Sequence, residues 1–271
     1  LEDLRDTYPP PEEEVVVSEL VANALDSGAT RRAVDADVEA GTLTRVDDGR
    51  GMTARQLKSY HDIAATGKAR GTGIGFAGVG AKIALLGAEH VVTETRRGAY
   101  HRATRWTLES PRRAPWTYVP PAGLVGPPGG TAVTIRPRDR HSSLLKRVFI
   151  EHVVREHYPA LLAPEMDEVL KLVYPRGVAI LVNGRAVPAP VMTLVARTPL
   201  RVRAPGVKGL VGFGFLGRSL TPVSDGLAGV AVSTYGKAVK RGWDWLGLAP
   251  RSPAYLTGLV EVPRLVELLT T

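Results

Sequence analysis

Apolar and polar positions along the chain change period several times, and each change marks an element. Behind Pro9-Pro10-Pro11 and the acids Glu12, Glu13 and Glu14, the run Val15–Asp26 carries apolar residues at helical spacing. Proline is tolerated in a first helical turn and acids complement the dipole there. A helix is therefore predicted to about Asp26, with Ser27-Gly28 as its stop. Ala33–Glu39 alternates as a half-buried strand, Ala40-Gly41 turns the chain, and Thr42–Val46 is the partner strand. Thr53 and Gln56 have capping-box spacing, which predicts a helix to about Ala65. The glycine-rich stretch Thr66–Val79 then leads into a short helix over Gly80–Gly87.

Strand-like segments follow at His90–Arg96 and Tyr100–Glu109, then a long Pro/Gly loop to Gly130, then a strand over Thr131–Pro137. Helical patterns occupy Ser143–Leu162 and Glu165–Val173. From Gly177 the chain turns β-rich, starting with a hairpin whose turn is Asn183-Gly184. Further strands are read in Leu200–Pro205, Leu210–Gly217 and Gly229–Val239, and Pro263–Leu269 reads as helical. The expected organisation is an α/β first domain over residues 1–175 and a smaller, β-rich α+β second domain over 176–271.

Composition narrows the chemistry. With 35 basic and 27 acidic residues the chain has a net charge of +8, which favours anionic partners such as nucleotides or nucleic acid. It has no cysteine, which excludes disulfides, thiolate zinc sites and cysteine nucleophiles. No apolar stretch approaches the roughly 18 residues of a membrane span. No signal peptide opens the chain, and Leu1 in place of Met reads as the start of an excised segment. The expected location is cytoplasmic.

Several motifs mislead. Gly73, Gly75 and Gly78 fit a dinucleotide glycine pattern, but the residues before them form no strand, which that loop requires. There is no Walker loop and no kinase catalytic or metal-binding motif. No G-x-S-x-G elbow for a serine hydrolase occurs either. His152 and His157 lie five apart, about 140° around a helix, and cannot share a ligand face.

What does hold together starts on the first helix. Glu19, Asn23 and Asp26 are spaced i, i+4 and i+7 and share one face. Burying such groups without partners costs on the order of 2–7 kcal/mol for the neutral amide alone. That face must meet water or a polar ligand. Two further segments fit a magnesium nucleotide. Asp47, at a strand end, can accept from the amine of adenine, and Gly49 and Gly51 let the backbone pass close to the base. Backbone N–H groups around Gly78, Val79 and Gly80 open a helix and suit phosphate oxygens. Magnesium takes few protein oxygens, so the Asn23 amide can suffice beside the phosphates. Glu19, one turn earlier, is then placed to orient or deprotonate the attacking water.

In order, Glu19–Thr30 (ELVANALDSGAT), Asp47–Met52 (DDGRGM), Gly73–Lys82 (GIGFAGVGAK) and Gly129–Ile135 (GGTAVTI) resemble the four boxes of the GHKL, or Bergerat-fold, ATPases. That superfamily includes gyrase B, the Hsp-ninety chaperones, MutL, MORC proteins and sensor histidine kinases. The resemblance implies a two-layer α+β sandwich with the nucleotide between helices and a mobile lid, here about Ala65–Gly75. It implies Glu19 as catalytic base and Asn23 as magnesium ligand. Asp47 would bind adenine with Gly51 and Met52 beside it. Gly75, Gly78 and Gly80 would serve the phosphates, and Thr131 would support the adenine end. The usual Asp-Asn-Gly is Asp47-Asp48-Gly49 here, and the second glycine box ends in Ala81-Lys82, similar to MORC-like members. Lys68 and Lys82 are candidate phosphate cations. Residues 229–265 resemble the transducer domain of MORC, MutL and gyrase B, from which a lysine reaches the γ-phosphate; Lys237 and Lys240 both fit.

The function so implied is Mg-dependent ATP binding and hydrolysis, with ATP-driven closure or homodimerisation of a clamp acting on DNA. A chaperone ATPase and a nucleotide-gated binder with negligible turnover share the pocket chemistry and stay open. So does a second surface: six arginines (Arg96, Arg97, Arg102, Arg105, Arg112, Arg113) are interleaved with Tyr100, Trp106, Trp116 and Tyr118. They form either a nucleic-acid platform or a solvated hairpin. Trp243 and Trp245 read as core or interface.

Overall fold

The computed structural model describes residues 11–62, 73–75, 79–110, 113–190, 193–248 and 254–267. These fall into two compact units that interleave in sequence. The first draws on residues 11–62, 73–75, 79–110, 113–153 and 178–187, the second on 154–177, 188–190, 193–248 and 254–267. A single boundary near residue 175 does not describe this division. The hairpin after Gly177 returns to the first sheet, while the helical segment before it belongs to the second unit.

The first unit opens with helix α1 (Glu12–Asp26), started by Pro11 and by three acids in its first turn. Strands β1 (Arg31–Asp37) and β2 (Thr42–Asp47) follow as an antiparallel pair. Helix α2 (Ala54–Tyr60) begins on Thr53, and its capping box with Gln56 is present as expected. Helix α3 (Val79–Gly87) leads to β3 (Ala88–Arg97), β4 (Tyr100–Trp106), β5 (Trp116–Val119) and β6 (Gly129–Pro137). Strand β5 lies inside what reads from sequence as an uninterrupted Pro/Gly loop. Its Trp-Thr-Tyr-Val core pairs with β4.

Helix α4 (Arg147–His157) and helices α5 (Pro159–Leu162) and α6 (Asp167–Leu170) replace the two longer helices expected there, with Pro159 starting a new helix. The hairpin β7 (Ala179–Val182) and β8 (Arg185–Ala186) turns on Asn183 and Gly184, both at positive φ. The first sheet has the order β5-β4-β3-β6-β2-β1-β7-β8, and β7 joins β1 in parallel. Leu43, Arg45 and Asp47 alternate onto the buried face of β2. Helices α1 and α3 pack on each other, and Gly80 makes this possible: a Cβ there would lie 2.6 Å from the Cβ of Glu19.

The second unit has its own five-stranded sheet. Its strands are β9 (Leu194–Val202), β10 (Gly212–Ser219), β11 (Gly229–Thr234), β12 (Lys237–Gly242) and β13 (Leu256–Glu261), in the order β12-β11-β13-β10-β9. Ala160, Met166 and Leu170 from the helical segment pack on Phe215, Ala231 and Leu259 of this sheet. Pro263–Glu267, read as helical, forms a 3-10 helix. Two sheets with helices make the mixed α/β architecture expected from sequence. Among the described residues no helix is long and apolar enough to cross a membrane.

Candidate functional site

A cavity of about 500 Å³ opens in the first unit, within the size range of small-molecule sites. Its walls come from three helices and two central strands. Leu20, Asn23 and Asp26 of α1 line it, with Gln56, Ser59 and Tyr60 of α2, Ala81 of α3, Arg45 and Asp47 of β2, and Thr131 and Val133 of β6. Ser27, Arg50, Gly51, Met52 and Arg97 complete the lining.

Asp47 is the most constrained group of the floor, at 3% exposure. Its Oδ1 accepts from the Gly49 N–H at 2.9 Å and the Ser27 hydroxyl at 3.2 Å. Its Oδ2 is ion-paired with Nη1 of Arg45. A Cβ on Gly49 would collide with the Ser27 side chain, so this glycine permits the approach. The β2–β6 register sets Thr131 directly opposite Asp47. The Met52 N–H donates to Oγ1 of Thr95, which lies 3.5 Å from the Thr131 hydroxyl. Gly51 sits at φ +64, where a Cβ would run into the Arg96 carbonyl. Asp47, Gly51, Met52 and Thr131, from three separate segments, therefore meet at one end of the cavity.

The α1 face divides. Asn23 and Asp26 line the cavity, but Glu19 is 2% exposed and is not part of its wall. Asp26 is engaged by the glycine-rich segment: its two carboxylate oxygens accept from the Ile74 and Gly75 N–H groups, each at 3.0 Å. The Gly75 amide, expected on a phosphate, here donates to the Asp26 carboxylate, which joins the glycine-rich segment to α1. Gly80 is buried in the helix contact, and Lys82 is 3% exposed outside the cavity wall. Burial lowers the Lys82 pKa, and Asp62 opposes that shift. Val79 opens α3. Lys68, Gly78 and residues 65–72 of the expected lid lie outside the described residues.

Asp48, the departure from the usual box, faces away from the cavity. It accepts from the Thr30 N–H at 2.7 Å, the Thr30 hydroxyl at 2.6 Å and the Arg31 N–H at 3.0 Å, fastening the start of β1. Burial pushes its pKa up, but these hydrogen bonds outweigh that and leave it below the usual range.

Three cations line the cavity: Arg45 and Arg50 carry no role in the sequence reading, and Arg97 appears there only in the arginine-aromatic segment. Arg50 donates to the Asp26 carbonyl at 3.0 Å and Arg97 to Oε1 of Gln56 at 3.3 Å, and both are exposed. Arg50 was in plain view inside Asp47–Met52. Arg45 was signalled by its alternation with Leu43 and Asp47.

The arginine-aromatic segment does not form one platform. Trp106 is 1% exposed and donates to the Ala114 carbonyl at 2.8 Å. Trp116 stacks on His61, with ring centroids 4.4 Å apart. Burial lowers the pKa of that histidine to about 4, opposed by its hydrogen bond to the Leu57 carbonyl. Arg96 is turned onto the Val125 carbonyl and His101, and Arg113 pairs with Glu109. Arg102, Arg105 and Tyr118 stay exposed, and Arg112 is outside the described residues. In the second unit, Lys237 starts β12 half-buried, and exposed Lys240 pairs with Asp244 at 2.8 Å. Trp245 is 41% exposed, which removes it from the core.

Residues 12–118 match the family model described as Histidine kinase-, DNA gyrase B-, and HSP90-like ATPase. No curated protein matches the chain. The matched segment contains α1, β2 with its Asp47 turn, α2 and α3, and so most of the cavity wall. The match supports the GHKL superfamily, and with it ATP binding. Thr131 and Val133 lie beyond the matched segment and reach the cavity through the β2–β6 pairing.

Proposed function

We propose that this chain binds Mg-ATP in the first-unit cavity and hydrolyses it slowly, as the switch of a clamp that closes or dimerises on DNA. The observation that carries the reading is the meeting of Asp47, Gly51, Met52 and Thr131 with Asn23 in one cavity of about 500 Å³. Asp47 is an acceptor for the adenine amine, and the backbone at Gly51 leaves room for the base. The Asn23 amide oxygen suits magnesium, which binds through few protein oxygens plus phosphates. Bound there, magnesium would neutralise phosphate charge. The exposed guanidinium groups of Arg50 and Arg97 suit an anionic ligand entering the same cavity. Lys68, Lys82, Lys237 and Lys240 stay candidate phosphate contacts.

Glu19 is the proposed general base, and its burial outside the wall favours slow turnover. A base must come within about 3 Å of the water it activates, directly or through one more water. The same observation favours a second reading, nucleotide-gated binding with negligible turnover. The charge of +8 favours a DNA-acting clamp of MORC or MutL type over a chaperone.

The test is calorimetric Mg-ATP affinity and phosphate release on wild type and Glu19→Ala, followed by DNA binding across a salt series. Retained affinity with turnover lost supports Glu19 as base, while unchanged turnover removes it. DNA affinity that falls steeply with salt supports the clamp. Absence of adenine-nucleotide binding by the wild type would overturn the reading at its root.

A further inference from the structure

The cavity floor holds a group to which the ATP reading assigns no role. Arg45 is 3% exposed and lines the cavity two residues before Asp47. Among the described residues its hydrogen bonds leave from Nη1, one to Oδ2 of Asp47 and one to the Thr131 carbonyl at 3.4 Å. Its Nε is buried with no hydrogen-bond partner. A guanidinium carries five N–H donors, so this one keeps donors in hand beside the cavity. Burial pulls its pKa down to about 10; Tyr60 opposes that shift and Arg32 adds to it, and the group stays cationic at neutral pH.

Its partner is already engaged. An ionised carboxylate offers about four lone-pair sites, and those of Asp47 serve the Gly49 N–H, Arg45 and a share of the single Ser27 hydroxyl proton, which also donates to the Ala24 carbonyl at 2.7 Å. What remains is about one to two acceptor positions on Asp47, next to unused donors on Arg45. That pairing complements a base edge on which an exocyclic amine adjoins a ring nitrogen. Adenine has two such edges, its amine lying beside N1 on one side and N7 on the other. A carboxylate alone would accept the amine and leave the ring nitrogen unread.

We infer that Arg45 is a specificity-determining residue of the base pocket, donating to the ring nitrogen next to the amine that Asp47 accepts. This rests on the ATP-binding reading. A base without that nitrogen leaves a charged donor unmatched in a site shielded from water, which is the strong form of discrimination by hydrogen bonding.

The experiment is titration calorimetry of the whole chain with ATP, 1-deaza-ATP and 7-deaza-ATP, on wild type and on Arg45→Met. Wild type is expected to bind one deaza analogue ~10- to 100-fold more weakly than ATP, the loss typical of a hydrogen bond to a charged group. Arg45→Met is expected to bind ATP and that analogue alike. Should the variant fail to fold, as circular dichroism would reveal, Arg45→Lys takes its place: the charge beside Asp47 stays and the guanidinium fork is lost, so discrimination is expected to fall, and full retention overturns the assignment. Wild-type affinities within twofold for all three nucleotides overturn the assignment. A wild type that binds none of them overturns the ATP reading and this assignment together, a result distinct from loss of discrimination.

Discussion

Two buried carboxylates end strands in the two units, and their surroundings differ in kind. Asp47 closes β2 at 3% exposure, ion-paired with Arg45 and open to a cavity of about 500 Å³. Glu261 closes β13 at 0% exposure, with a serine hydroxyl at 2.5 Å and the Gly236 N–H at 3.2 Å, both on Oε2. Its Oε1 has no hydrogen-bond partner, and burial raises its pKa against the lowering effect of Ser233 and two backbone amides. Both carboxylates are equally hidden, so burial alone does not mark a site. A neighbouring cation and an adjoining cavity set Asp47 apart from Glu261. Glu261 instead ties down the β11–β12 turn through the Gly236 N–H, between Tyr235 at φ 50 and Lys237.

The comparison is broken most directly at Asp47. Asp47→Asn keeps the shape but leaves the Arg45 cation buried without its counter-charge, a change that costs about 3–5 kcal/mol. Urea denaturation should show a loss of that size, and ATP affinity should fall at least ~100-fold as the ionised acceptor disappears. A variant as stable as wild type would mean that the ion pair does not hold the floor.

The backbone at the cavity gives the next largest effect. Gly51→Ala meets both a positive φ and the Arg96 carbonyl, whereas Gly41 has φ +64 with open space around it. Gly41→Ala is expected to cost about 1 kcal/mol in left-handed strain alone. Gly51→Ala adds overpacking of about 1–3 kcal/mol. Thermal melts of the two variants separate conformation from crowding, and equal losses would show that Gly51 is needed only for its φ.

These features were unequally legible in the sequence. Local signals survived: the Pro-and-acid start of α1, the Thr53–Gln56 capping box, and the Asn183-Gly184 turn all have the conformations their chemistry dictates. Features settled by distant partners did not. The Asn183-Gly184 turn predicts the hairpin, but its parallel pairing with β1 sets Arg31 opposite Ala179, 148 positions on, which no local pattern encodes. Strand β5 hid between prolines because only β4 gives its edge a partner. In the site, the i, i+4, i+7 rule grouped Glu19 with Asn23 and Asp26. The close pass of α3 at Gly80 covers the first and leaves the other two on the cavity. Helical periodicity assigns a face, but the neighbouring helix decides how much of it is wet.

The smallest effect tests the other side of the comparison. Glu261 has its pKa raised in the folded protein, so the folded state holds the proton more tightly than the unfolded chain does. Its contribution to stability is therefore present in full below the ordinary carboxylate range and is lost as pH rises through the raised value. Glu261→Gln carries a permanently neutral group of similar shape and should not lose it. The two proteins are expected to agree within about 1 kcal/mol at acid pH, the size of a typical hydrogen-bond adjustment. Above that range the variant should gain on the wild type as pH rises, read as the difference in urea midpoint. A wild type that instead gains on the variant would mean that the carboxylate is held ionised. Glu261 would then belong with Asp47, as a charge the fold stabilises and does not merely bury.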